Sequence, residues 1–191
     1  MYKLYFFNEL DALDEELLNR IVNILPNDRR LKTLKYKYVL DRKLSAVSYM
    51  LLKYGLKNNF GISNFDITVS KTGKPFLKDC KDVFFSISHC KKGCVCAIGD
   101  KNLGVDIQDI QCADGDLMNI AFSRREIIKV NESSDKNLEF TKIWTMKESL
   151  VKMTGEGITD KLNKIDTMQI RERFQTIEKE GSVISVLEEN I

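Results

Sequence analysis

The chain has 191 residues, 43% of them hydrophobic, which suffices for one domain or two small ones with a proper core. Its 30 lysines and arginines against 28 acids leave a formal charge of +2, which excludes nucleic-acid binding by bulk charge and makes any anion site a local one. No apolar run approaches the ~20 residues of a membrane span, and the start, "MYKLYFFNELDALDEE", turns acidic where a signal peptide keeps its apolar core, so a cytoplasmic protein is expected.

"YKLYFFN" (2–8) reads as an opening strand and "DALDEELLNRIVNILP" (11–26) as a helix, acidic in its first turn and closed by Pro26. From about Asp28 to Tyr54 apolar residues recur close to every 3.6 positions, which predicts a longer helix, broken by "NNFGISNFD". The middle is strand-rich: "ITVSKTGKPFL" (67–77), "VFFSISH" (83–89), "GCVCAIG" (93–99) and "LGVDIQDI" (103–110), separated by Gly, Asp and Lys clusters suited to turns. Alternation in "CVCAI" places Cys94, Cys96 and Ile98 on one face. Cys90, Cys94 and Cys96 with His89 or Cys80 have the ligand types of a zinc site, but the five cysteines include no C-x-x-C and core packing accounts for them. Helix returns in "SRREIIKV" (123–130) and in "EFTKIWTMKESLVKMTGEGI" (139–158), which ends at Gly155 and Gly157, and the tail "FQTIEKEGSVISVLEEN" (174–190) reads as a hairpin. Strand and helix recur in two loosely similar halves, about 1–100 and 101–191, which predicts an α+β fold of two related lobes.

Three patterns carry chemistry. Strand alternation in "NLGVDIQDI" puts Leu103, Val105 and Ile107 on one face and Gly104, Asp106 and Gln108 on the other, where two oxygen ligands stand roughly 7 Å apart; a half-buried strand with one wet face has the same pattern. In "FTKIWTMKESLVKM", Ile143, Met146, Leu150 and Met153 keep one buried helical face, while Trp144, Glu148 and Lys152 lie four apart on another. Glu148 and Lys152 are then either an ordinary surface pair or a metal-binding carboxylate beside a phosphate-binding cation. Magnesium takes oxygen ligands and is commonly held by one or two carboxylates plus substrate phosphates, a description that Asp106 and Glu148 satisfy. Residues 28–43 hold seven cations (Arg29, Arg30, Lys32, Lys35, Lys37, Arg42, Lys43) against Asp28 and Asp41, which is either a solvated helix face or an anion site.

The succession "TGKPF" (72–76), "FSISH" (85–89), "GVDIQ" (104–108), "FSRRE" (122–126) and "WTMKESLVK" (144–152) resembles the 4′-phosphopantetheinyl transferases of the Sfp type in order and spacing as well as content. The resemblance is strong over 70–158, moderate over 25–50 through "LPNDRR" and "DRKLS", and faint in the tail. It implies two similar α/β lobes related by a pseudo-two-fold axis with the active site between them: 1–100 contacting coenzyme A, 101–191 bearing the metal ligands and the catalytic helix. It implies transfer of the phosphopantetheine arm of coenzyme A to a serine of an apo acyl or peptidyl carrier protein, release of adenosine 3′,5′-bisphosphate, dependence on Mg²⁺, and a monomer without nucleic-acid or membrane partners. Carried over by motif position, Asp106, Gln108 and Glu148 resemble the metal site, Lys152, Ser88 and His89 the phosphate contacts, and Gly73, Lys74 and Pro75 the loop beside the adenine. Arg30, Lys32 and Arg42 resemble the contacts to the 3′-phosphate, and Glu148 or Glu126 the base that takes the serine proton, with Lys152 beside it. Some members of that family carry Glu where this chain has Gln108, and many carry Asn where it has Ser86; an amide brings an oxygen ligand but no charge. A non-catalytic nucleotide or nucleic-acid module using the 28–43 cluster, and a small zinc protein, are the rival readings.

Overall fold

The computed structural model describes residues 1–157 and 162–189. Strand β1 (Tyr2–Phe7) stands where the sequence places it, and a 3-10 turn (Leu10–Ala12) then precedes helix α1 (Glu15–Asn23). Asp14 sets the start of α1: its carboxylate accepts the Leu17 amide at 2.7 Å, satisfying one of the donors that a helix leaves unpaired.

The single helix expected over 28–54 is two, α2 (Asn27–Leu34) and α3 (Val39–Phe60), and α3 runs past Tyr54 to a left-handed Gly61. The intervening residues hold no Gly or Pro. Long-range contacts make the break: Thr33 Oγ1 and Ser45 Oγ are hydrogen-bonded at 2.9 Å, Arg29 donates to the Ser45 carbonyl at 3.0 Å, and Arg42 Nε to the Tyr36 carbonyl at 2.9 Å, folding α2 back on α3. Likewise "ITVSKTGKPFL" is not one strand. It is a hairpin of β2 (Ile67–Val69) and β3 (Pro75–Leu77), whose turn closes through Ser70 N to the Lys74 carbonyl at 2.8 Å and requires Gly73 at φ +88°.

Strands β4 (Phe84–Cys90), β5 (Gly93–Gly99) and β6 (Leu103–Asp109) follow the alternation closely. The short helix α4 (Gly115–Ala121) had no signal in the periodicity. Helix α5 (Arg124–Glu132) opens on a Ser123–Glu126 capping box, and α6 (Lys136–Thr154) runs from an Asp135 cap to a left-handed Gly155. Ile158, the last residue of the helix expected there, lies outside the described residues. Two 3-10 segments (Leu162–Lys164, Thr167–Arg173) lead to the expected hairpin, β7 (Gln175–Lys179) and β8 (Ser182–Glu188); Asn190 is likewise outside the description.

The mixed α+β architecture contains two antiparallel three-stranded sheets, ordered β1-β5-β4 and β6-β8-β7, with the β2-β3 hairpin beside them. Each sheet gives one face to a shared core in which Val95 and Ala97 of β5 meet Leu103, Val105 and Ile107 of β6 and Ile184 and Val186 of β8. The other face of β5 packs on α3: Cys94 meets Leu44 and Val47, while Cys96 and Ile98 meet Leu52 and Leu56. The thiols sit in the core as the alternation suggests, and burial pushes that of Cys94 up to about 11. The other face of β6 takes α6. A Cβ on Gly104 would stand 1.9 Å from the Ser149 carbonyl oxygen, so only glycine lets the helix lie this close to the strand. Because α6 is enclosed on most sides, its buried residues divide between two clusters, Ile143 in one, Met146 and Met153 in the other, where the sequence suggested one face.

Candidate active site

With Leu103, Val105 and Ile107 committed to the shared core, Asp106 has to project toward α6, and it is 1% exposed. Its charge is matched there. Asp106 Oδ1 accepts hydrogen bonds from Ser88 Oγ and Lys152 Nζ, each at 2.6 Å, and Lys152 Nζ donates also to Ser88 Oγ at 2.8 Å. Three elements, β4, β6 and α6, thereby meet at one carboxylate. Ser86, two residues before Ser88 and on the same strand face, accepts the Val105 amide at 3.1 Å and holds β4 against β6.

Asp106 Oδ2 accepts from Gln108 Nε2 at 3.2 Å, and the Gln108 oxygen accepts from Gln111 at 3.1 Å. Gln108 thus turns its nitrogen, not its oxygen, toward Asp106. Glu148 lies one turn before Lys152 on the same side of α6; its Oε1 is buried and, among the described residues, has no hydrogen-bond partner. Burial and then the Asp106 charge hold the Glu148 carboxyl above its ordinary range, partly offset by Lys152. Two carboxylates, one with an orphaned buried oxygen, against a single ammonium fit a hard divalent cation in donor type and in charge. Among the described residues no three His, Cys, Asp or Glu side chains converge, so such an ion would complete its shell with water, the Gln108 amide or ligand oxygens.

Lys152 lines a cleft with Thr72, Gly73, Pro75, Phe85, Ile87 and Gly155. Past Gly73, Pro75, Phe85 and Ile87 it continues into a second, more polar hollow walled by Arg29, Lys32, Tyr36, Tyr49 and His89. Period two along β4 explains the division of labour: His89 shares the cleft face with Phe85 and Ile87, whereas Ser88 points with Ser86 toward β6. Burial, then the Lys152 charge, lowers the His89 pKa from its ordinary value.

The basic segment is arranged differently from the sequence expectation. Arg29 and Lys32, three apart on α2, face the hollow together. Arg30 and Arg42 are absent from its lining, Arg42 Nε being held by the Tyr36 carbonyl. Arg29 was not among the expected contacts; the i, i+3 pairing with Lys32 was the only sequence signal for it. Lys74 stands in the expected loop but spends its ammonium on protein, donating to the Met153 carbonyl at 2.6 Å and to the Asn102 side chain, and burial lowers its pKa. It ties the β2-β3 turn to the end of α6.

Glu126 is not placed to act as a base. It is fully buried, Oε2 accepts from Ser123 N at 2.6 Å and Lys147 Nζ at 2.9 Å, and Oε1 accepts from Thr167 N at 2.9 Å and Thr167 Oγ1 at 2.6 Å. A sealed carboxylate with both oxygens engaged is a structural anchor.

The family model of the 4′-phosphopantetheinyl transferase superfamily matches residues 102–189. The chain is 26% identical over 163 residues to a 4′-phosphopantetheinyl transferase of Bacillus subtilis, covering 83% of this chain and 71% of that protein. It is 27% identical to the 4′-phosphopantetheinyl transferase gsp of Aneurinibacillus migulanus, with 85% and 70% covered. To the L-aminoadipate-semialdehyde dehydrogenase-phosphopantetheinyl transferase of Saccharomyces cerevisiae it is 28% identical, with 80% and 61% covered.

Proposed function

We propose that this chain, similar in sequence to 4′-phosphopantetheinyl transferases, moves the 4′-phosphopantetheine arm of coenzyme A onto a serine of an apo carrier protein, releasing adenosine 3′,5′-bisphosphate. The observation that carries the reading is a cleft lined at one end by Lys152, which lies one turn from Glu148 and whose ammonium is held by the buried Asp106. It shares Gly73, Pro75, Phe85 and Ile87 with a hollow lined by Arg29, Lys32, His89 and Asp41, so that an ammonium stands at one end and two cations and an imidazole at the other. A substrate with a pyrophosphate in its middle and a third phosphate at its nucleoside end requires both.

In this reading Arg29, Lys32 and His89 hold the 3′-phosphate, with Arg30 and Arg42 adding to the positive field behind them. Gly73 and Pro75 flank the adenine, and Lys74 fixes their turn. Lys152 neutralises pyrophosphate oxygens, and Ser88 offers its hydroxyl beside it. Asp106 and Glu148, with Gln108 next to them, would hold Mg²⁺, which supplies charge that screens the pyrophosphate as it is attacked. Glu148, with a buried oxygen that no protein donor among the described residues occupies, takes the proton of the carrier serine. The serine oxygen bonds to the β-phosphorus as the bond to the bridging oxygen breaks, and that electron pair leaves on the 3′,5′-bisphosphate.

We read the chain as two lobes, 1–100 and 101–191, related by a pseudo-two-fold axis. Support comes from the two sheets, each complete within its half and each packed on one long helix, α3 or α6. Two lobes in one chain make a monomer sufficient. No described helix is long and apolar enough to cross a membrane, and we take the protein to be cytoplasmic, with neither membrane nor nucleic acid as partner. The test is to mix it with coenzyme A, Mg²⁺ and several apo carrier proteins and to weigh the carriers intact: phosphopantetheine addition to at least one is expected, and addition to none overturns the proposal.

A further inference from the structure

Asp106 has no unoccupied oxygen. Ser88 and Lys152 hold Oδ1 and Gln108 holds Oδ2, while the neighbouring Glu148 keeps a buried oxygen without a donor. A cation entering between the two carboxylates therefore meets a site already half-neutralised by the chain's own ammonium. A second positive charge close to Lys152 Nζ is repelled strongly at this depth, so both cannot stay on Asp106. The Lys152 side chain is the partner able to leave. It lies in the last turn of α6, its side chain is 30% exposed against 2% for Asp106, and it already lines the cleft.

We propose that Lys152 is the resident counter-ion of the Asp106–Glu148 pair, and that a divalent cation takes its place, releasing the ammonium from Asp106 into the cleft. The identity of the cation and the phosphate rests on the transferase reading; the exchange itself rests on the geometry. A freed ammonium needs an anion, and the cleft supplies a place for one. Cation binding and phosphate binding are then coupled through a single side chain: the cation alone binds weakly because it must strip Asp106 of its partner, and an anion that captures Lys152 removes that cost.

The direct test is calorimetry of Mn²⁺ with the full chain free of coenzyme A, comparing wild type with Lys152→Met, which keeps the apolar stem and removes the charge. Lys152→Met should bind Mn²⁺ at least about tenfold more tightly, since it lifts a like charge from the site. Inorganic pyrophosphate should tighten Mn²⁺ several-fold in wild type and much less in the variant. Equal or weaker Mn²⁺ affinity in Lys152→Met overturns the proposal. A measurement on the wild-type side chain does not depend on that variant folding: with lysines ¹³C-dimethylated, the signal that Lys152→Arg removes should shift on Mg²⁺ saturation, and a static signal at saturation overturns the exchange. Transfer to a carrier with no change in Mn²⁺ affinity would count against the exchange alone. An intact exchange with no transfer to any carrier would support it and count against the transferase reading.

Discussion

At the scale of single residues, Glu148 is held in a state that costs stability: a buried oxygen without a donor, facing a second carboxylate. Glu148→Gln keeps the shape and removes the repulsion. We expect the metal-free variant to melt at or above the wild-type temperature while transfer falls on the order of 10²–10⁴-fold, the range for loss of a general base; a variant that is less stable but active would show that the carboxylate is structural. His89, the only histidine, gives a single imidazole signal for NMR titration. It should titrate below the ordinary ~6.5, and move upward when pyrophosphate fills the cleft and offsets Lys152. Linkage gives the sign for stability. Because the folded pKa is depressed, the unfolded chain binds the extra proton between the two values, so this group's contribution falls as pH drops from ~6.5 toward the folded value. Asp106, Glu148 and Lys152 were legible because alternation and helical spacing, together with the motifs, fix their faces. Arg29 was not, since the six other cations of residues 28–43 fit a helix face equally well, and a buried partner for Glu126 cannot be read from a motif that prescribes only a carboxylate.

Among the elements, the meeting of β6 and α6 decides whether the site exists. Gly104→Ala would drive a methyl into the Ser149 carbonyl and the Met153 amide, both backbone, so the helix must shift rather than a side chain. A loss of about 1–3 kcal/mol or more in chemical denaturation is expected, with transfer lost in the folded remainder because Glu148 and Lys152 ride on the displaced helix. A second anchor lies on the opposite side of α6, where Lys147 joins Glu126 and donates to the Leu162 and Ile165 carbonyls at 2.9 and 2.5 Å. Lys147→Met strands a buried carboxylate and two carbonyls, and should cost about 3–5 kcal/mol while calorimetry on the folded protein finds coenzyme A affinity unchanged; weakened affinity would mean that this anchor also shapes the cleft. Strands β4 to β6 and helix α6 were readable because their periods run for seven residues or more. The α2–α3 break and the β2-β3 hairpin were not, because a Thr33–Ser45 hydrogen bond and a five-residue turn leave hardly any trace in hydrophobic spacing.

For the molecule as a whole, the α+β class was legible in the periodicities but not how the sheets are threaded, since strand order depends on pairings between distant residues. The order β6-β8-β7 places the later strand at the centre, with Asp106 opposite Ser185, 79 positions further on (185 less 106). On the ribosome, at about 5–20 residues per second, β6 therefore emerges some 4–16 s before the partner that completes its ladder. During that interval a short run of apolar side chains is exposed with open backbone donors and acceptors, the circumstances in which nascent chains pair with one another. Asp106 sits at its middle and interrupts it with a charge, as gatekeeping residues do in strands that must wait. The carboxylate proposed to serve chemistry in the finished protein is thus expected to guard the same strand from self-association while it is being made.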